Sequence, residues 1–463
     1  MMVLSCVLLS LASLVVALKV YGRLFNPVTL YTVPFAICVC LACTGLFGIY
    51  RPSDVSVGYI TLGIAGFGIG SLLISGVGAA SGATTPLFHS KAPKETRLVR
   101  RRLFIGILTV AVLASIPYLI KTLPILFGHG GLTAVKFEYA NGEGSTLFTT
   151  RELLLFSWFM LPAFNLAFLV FCYGLSELRV DVPALVFSIL GMASAVCISG
   201  GRNNVFIFLV LAAMSLLMSP YSRSIWSKIR ALPGVVKVLV AVGIVVLIYI
   251  TQERSLSADL GVLENVFFYF AGAVTYFSQI VSNPSMFDLG GDLFYGGALF
   301  GFVTNPVEIL LALVTGGHVR GTENLVSTAA SVYLNFSSSL KGNALCTCLY
   351  PFMRDFGTPG IFIGPLLYGT MAGFVWGKWR QAFDGGSEAA RQRWFMVAAY
   401  LSYALLFSVW RYVPLFTSTG MIFLFIFLIT SRPAFFGKMA SHRVKGRNGS
   451  DAWQDLPLER GLL

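Results

Sequence analysis

"ISGGRNNVFIFLVLAAMSLL" (residues 198–217) joins a short polar turn to a run apolar enough to cross a bilayer. The run before it, 183–198, is equally apolar. Gly200, Gly201, Arg202, Asn203 and Asn204 stand between the two, a composition suited to a tight turn at the tip of a hydrophobic hairpin. The fold is decided by whether the rest of the chain repeats this pattern, and it does.

Of 463 residues, 56% are hydrophobic and only 11% charged, with a mean hydropathy of +0.79. That leaves too little polar surface to clothe a soluble protein of this length. Apolar segments of about 17–25 residues, each able to cross ~30 Å of hydrocarbon as a helix, recur along the chain. They predict an all-α, polytopic integral membrane protein with about eleven spans, at 2–18, 30–49, 57–79, 103–120, 153–174, 183–198, 204–219, 234–251, 357–377, 395–410 and 412–430. The first span has no basic segment before it, and Lys19 and Arg23 follow it. It therefore reads as an uncleaved helix with its N-terminus outside. Four regions result: an N-terminal bundle (1–251), a large outer loop (252–356), C-terminal spans (357–430) and a basic tail (431–463).

Lysine and arginine orient the bundle. "KAPKETRLVRRR" (91–102), "YSRSIWSKIR" (221–230), "KWRQAFDGGSEAARQRW" (378–394) and the tail are all basic. Placing them in the cytoplasm leaves only ten of the 33 Lys and Arg outside, as the positive-inside rule requires. The net charge of +13 follows from this asymmetry and from attraction to anionic membrane lipid, so no nucleic-acid partner is implied.

In this topology the Arg202 turn faces outward, where arginine is disfavoured. Arg202, Arg254 and Arg411 each sit at or just beyond the outer end of a span. Each alone fits a side chain reaching for lipid phosphate. Together they fit a shared anion site, because the planar guanidinium grips phosphate bidentately.

The outer loop holds two moderately apolar stretches, "NVFFYFAGAVTYFSQIV" (265–281) and "LFYGGALFGFVTNPVEILLALVTGG" (293–317). Their aromatic and glycine content favours interfacial or re-entrant helices; if they cross instead, the span count becomes thirteen. Beyond them "GGHVRGTEN" (316–324) gathers His318, Arg320, Glu323 and Asn324. A histidine beside an arginine and a carboxylate suits a base next to a bound diphosphate; an ordinary polar loop is the other reading. No HExxH, DxD or paired CxxC occurs, so neither a metal nor another cofactor is expected. Six of the eight cysteines lie in apolar spans, and Cys346 and Cys348 read as packing residues.

"GNALCTCLYPFMRDFGTPGIFIGPLLYGTMAG" (342–373) resembles a segment of the bacterial oligosaccharide repeat-unit polymerases, the Wzy-type O-antigen and capsule polymerases. The resemblance rests on Asn343, Thr347, Tyr350, Phe352, Asp355, Phe356, Gly357 and Gly360, with the Ser-Gly turn before Arg202, the late outer loop and the number of spans. It implies a metal-independent, GT-C-like glycosyltransferase in the bacterial cytoplasmic membrane with its site facing the periplasm. The donor and acceptor would be undecaprenyl-diphosphate-linked glycans, and a chain-length-regulating membrane protein a partner. In that scheme Arg202, Arg254, Arg411 and Arg320 hold the diphosphate, His318 or Glu323 is the base, and Asp355 orients either or caps the helix that starts near Gly357. Two other readings stand beside it: an O-antigen ligase, and a flippase for lipid-linked oligosaccharide. Against a transporter, no Asp, Glu, Lys or Arg falls in the middle of an expected span.

Overall fold

The computed structural model describes residues 2–80, 100–128, 131–140, 147–219, 227, 229–230, 232–253, 262–315, 321–338, 340–342 and 346–431. In chain order its helices are α1 (Met2–Tyr21), α2 (Pro27–Thr44), α3 (Asp54–Ala80), α4 (Arg101–Phe127), α5 (Gly131–Ala140), α6 (Thr150–Ser176), α7 (Val182–Ser199) and α8 (Asn203–Met218). There follow α9 (Gly234–Glu253), α10 (Val262–Ser282), α11 (Gly301–Thr315), α12 (Thr322–Ala330), α13 (Leu349–Phe356), α14 (Gly360–Gly385), α15 (Glu388–Leu406) and α16 (Thr417–Thr430). A two-residue antiparallel pairing, Leu334–Asn335 with Lys341–Gly342, lies between α12 and α13. Among the described residues, seven helices are long and apolar enough to cross a membrane, and five shorter helices are also apolar. The chain is a predominantly α-helical, multi-pass membrane protein.

Local sequence starts and stops these helices. Asn26 caps α2 by accepting the Thr29 N–H at 3.0 Å, with Pro27 pre-set for the first turn. Asp181 caps α7 in the same way through Ala184, and Thr149 and Glu152 form a reciprocal capping box on α6. Gly200, at φ +58°, ends α7 in the left-handed conformation that glycine adopts without strain.

The most extensive helix pair is α3 with α14, which meet through small residues. Gly66 and Gly70 face α14, and Gly369 and Gly373 face α3, each pair spaced four apart. A Cβ at Gly70 would overlap the Leu366 carbonyl, and one at Gly369 the Phe67 carbonyl. The Tyr31 and Phe67 rings stack 4.0 Å apart beside this joint.

Contacts between helix termini define two ends of the bundle. At one, Arg101 pairs with Asp181 at 3.8 Å, the Tyr173 hydroxyl donates to Glu388 Oε1 at 2.7 Å, and Arg393 reaches the Thr430 hydroxyl at 3.1 Å. The described basic residues Arg101, Arg391 and Arg393 lie at this end. At the other, Lys121 pairs with Glu152 at 2.6 Å, the Cys348 N–H donates to the Ser408 carbonyl, and α5 lies against the 200–202 turn.

Three local features define this end in detail. The last span does not begin at 412: α15 stops at Leu406, two 3₁₀ turns follow (Phe407–Val409 and Val413–Leu415), and α16 starts only at Thr417. Phe416, in extended backbone at ψ 135°, separates the second 3₁₀ turn from α16. Helix α10 meets the connection after α2 at successive points, Phe267 on Phe47, Thr275 on Tyr50 and Ser278 on Ser53, so it lies along this end of the bundle. Helix α11 begins at Gly301 rather than within the preceding glycines, and it leaves Val303, Val307, Leu310 and Val314 exposed on one apolar stripe.

Candidate functional site

The turn after α7 places Arg202 at the bundle end opposite Arg101 and Arg393. A Cβ at Gly200 would lie 2.5 Å from the Leu132 carbonyl and 2.6 Å from the Lys136 nitrogen, so only glycine lets α5 press against this turn. The Arg202 guanidinium sits 4.6 Å over the Tyr269 ring of α10. The Tyr269 carbonyl accepts the Trp410 indole N–H at 2.7 Å. Trp410 also meets Phe270 and Phe407 edge-on, and Phe407 packs on Phe206 of α8.

Arg411 follows Trp410 and lies 5.2 Å from the Phe416 ring. The Tyr403 hydroxyl faces both the Arg411 guanidinium and the Asn203 side chain. Arg202 and Arg411, more than two hundred residues apart in the chain, thus border one aromatic patch. Both are half-buried, and among the described residues neither forms an ion pair with a carboxylate. Two guanidiniums so placed make a local positive potential in a partly desolvated setting, which suits an anion with several oxygens.

Glu323 reaches the same rim from α12. Its Oε2 accepts the Thr417 N–H at 2.9 Å and the Thr417 hydroxyl at 2.8 Å, at the first turn of α16 and one residue from Phe416. Its own N–H donates to Asn305 Oδ1, and Asn305 Nδ2 donates to the Leu415 carbonyl. Burial raises the Glu323 carboxyl above the ordinary carboxylate range, and the two Thr417 bonds offset part of that rise. Tyr139 of α5 completes the rim: burial first, then the nearby Glu323 charge, pushes its phenol up to about 12.

Asp355 lies elsewhere. Fully buried, it accepts the N–H groups of Ala298 at 2.8 Å and Leu299 at 2.7 Å, one to each oxygen. It therefore caps the turn leading into α11, not the helix that follows Gly357. Burial raises its carboxyl and these N–H bonds pull it back. Its neighbour Arg354 pairs with Asp288 at 2.7 Å and lies over Phe294. Thr347, Tyr350 and Phe352 are likewise buried, with the Tyr350 hydroxyl donating to the Phe287 carbonyl. The described part of the motif thus clasps the late segment to α14.

Arg254, His318, Arg320 and Asn343 lie outside the described residues. Tyr269, Tyr403, Trp410 and Tyr139 are the site residues that sequence reasoning passed over. The "WRY" at 410–412 is the one local signal, an amphipathic ring beside a cation at a span terminus. Among the described residues, no three His, Cys, Asp or Glu side chains converge as a metal site requires.

No family model and no solved structure matches the chain. A stretch of 79 residues is 35% identical to a putative glycerol-3-phosphate transporter 3 of Arabidopsis thaliana. The match takes in 17% of this chain and 16% of that protein, so the chain spans about a sixth of the length of the curated relative it matches.

Proposed function

We propose that the chain is a glycosyltransferase that polymerises undecaprenyl-diphosphate-linked repeat units at the outer face of a bacterial cytoplasmic membrane. The observation that carries this reading is the placement of Arg202 over Tyr269 and of Arg411 over Phe416, linked through the Trp410–Tyr269 bond, with neither paired to a carboxylate among the described residues. In the reaction, an acceptor sugar hydroxyl attacks the anomeric carbon of the donor glycan. The bond from that carbon to the diphosphate oxygen breaks, and its electron pair leaves with the lipid diphosphate. The two arginines stabilise the charge that grows on the departing oxygens. The proton lost by the hydroxyl passes to Glu323, whose Oε2 is held by Thr417 while Oε1 has no hydrogen-bond partner among the described residues. The raised pKa makes this carboxylate a better base than an exposed one. His318, five residues earlier, is the second candidate for the same proton.

A transporter of a phosphorylated substrate is the competing reading, and the short match to the plant transporter favours it. Against it, the seven long described spans carry no Asp, Glu, Lys or Arg at mid-length, where coupled transporters place theirs, although Glu308 stands midway along the shorter helix α11.

A lipid-glycan profile of cells lacking the protein separates the readings. Polymerase loss leaves single repeat units on the final carrier. Ligase loss leaves polymer on undecaprenyl diphosphate, and flippase loss leaves units trapped inside; either profile overturns the proposal.

A further inference from the structure

A second polar feature lies at the same bundle end, on the other side of α10. Tyr50, Arg51, Ser278, Gln279, Asn283 and Asn335 border an open cleft of about 430 Å³. Tyr269, under Arg202, and Ser278, in the cleft, are nine residues apart on α10. That is about two and a half turns at 3.6 residues each, or ~14 Å along the axis, so the two side chains leave opposite faces of the helix. The cleft is therefore separate from the arginine patch, although one helix carries both.

Its chemistry is specific. The lining is hydroxyl and amide with one guanidinium and no carboxylate, which suits neither a divalent cation nor a polyphosphate. The cleft walls are already braced from behind: Ser278 accepts the Ser53 N–H, Thr275 donates to the Tyr50 carbonyl, and the Gln279 amide donates to the Asn335 carbonyl. The Tyr50 ring is half-exposed, and neither its hydroxyl nor the Asn335 amide has a hydrogen-bond partner among the described residues. Planar amides that both donate and accept, a guanidinium that donates in pairs, and a bare aromatic face match adjacent hydroxyls and the apolar face of a sugar ring.

We propose that this cleft is a carbohydrate exosite that holds the growing, uncharged part of the glycan while its diphosphate end occupies the arginine patch. The inference rests on the polymerase reading above. Shallow, exposed contacts are enough for this task. A chain tethered at one site presents its distal sugars to the other at an effective concentration on the order of millimolar, so weak binding still retains it between couplings. Holding the chain sets how many units are added before release, not the rate of a single coupling.

The test uses the purified full-length protein in lipid nanodiscs with lipid-linked repeat units isolated from wild-type cells. Tyr50→Ala and Asn335→Ala truncate side chains only, leaving the Tyr50 and Asn335 backbone bonds in place. Both should form the first dimer of repeat units at the wild-type rate, yet shorten the product ladder at least twofold. Both should also weaken, about tenfold, the saturation-transfer NMR signal of delipidated oligosaccharide. Ladders and NMR signals matching wild type in both variants would overturn the exosite while leaving the polymerase reading intact. A wild-type protein that forms no dimer from these repeat units, under conditions where it binds them, would remove the polymerase reading and the exosite with it.

Discussion

The indole N–H of Trp410 donates to the backbone carbonyl of Tyr269 at 2.7 Å, and through that bond the two arginines share one frame. The Tyr269 ring lies beneath Arg202, and Arg411 is the next residue after Trp410. Trp410→Phe keeps an aromatic ring against Phe270 and Phe407 but deletes the donor. Losing this hydrogen bond should cost about 1 kcal/mol of stability, and coupling should fall roughly fivefold if the same energy holds the arginines in register. Wild-type turnover in this variant would show that the two arginines need no common frame.

Arg202 itself separates a diphosphate clamp from a side chain that only seeks lipid headgroups. An ammonium on a flexible stem reaches headgroups as well as arginine does, but it lacks the bidentate fork. Arg202→Lys should therefore be clearly impaired and Arg202→Ala nearly inactive. Loss of one charge-assisted contact to a developing oxyanion costs ~3 kcal/mol, about a hundredfold in rate. Product ladders from membranes with matched protein levels give the measurement, and normal chain length in Arg202→Ala would end the clamp assignment.

Glu323 makes opposite predictions for activity and stability. Burial raises its carboxyl in the folded chain, so folding favours the protonated form. Its contribution to stability is complete below the unfolded value and declines as pH rises through that value and then the folded one. Glu323→Gln keeps an oxygen for Thr417 and carries no charge. Its melting temperature should equal or exceed wild type at about pH 7, with the difference shrinking toward about pH 4. Under the proposed function, with Glu323 as the base, coupling should drop at least ~100-fold. A Gln variant with wild-type turnover would shift the proton to His318.

The α3–α14 joint predicts a stability change far from any chemistry. Gly70→Leu would drive a side chain into the Leu366 carbonyl and should cost more than ~2 kcal/mol. Gly106→Leu in α4 is the control, since nothing lies within 4 Å of a Cβ there. Thermal unfolding in detergent reads the contrast, and equal melting temperatures would refute the close approach.

Sidedness can be mapped directly. A reporter fused after Lys94 should report cytoplasm, and one at Asn203 or after Gly291 the outside, given the distribution of basic residues. A cytoplasmic signal at Asn203 would put the arginine patch in the wrong compartment for the proposed substrate.

Seven long apolar helices were legible in the sequence because hydropathy acts residue by residue. Gly66–Gly70 and Gly369–Gly373 were also open to view as four-residue spacings, but only the fold shows that they face one another. The target of Asp355 was not legible: its carboxylate caps a turn 57 residues earlier in the chain, and nothing local to "RDFG" points there. The arginine patch was half legible. Outer-end position singled out Arg202 and Arg411, whereas the surface they share comes from α10, whose aromatics read equally well as lipid-facing. Glu323 stood out as a polar-loop carboxylate, but its bonds to Thr417 depend on α16 starting there, after extended Phe416, and not at 412.

The bare apolar stripe on α11 bears on how such an enzyme would be assayed. Val303, Val307, Leu310 and Val314 are bare among the described residues on a helix that begins beside Leu415, and under the proposed function acyl chains would cover them. A polyprenyl-tailed substrate then approaches sideways within the leaflet and never crosses bulk water. Under the proposed function, turnover would follow the mole fraction of substrate in the lipid, and adding inert phospholipid at constant bulk concentration would slow it by surface dilution.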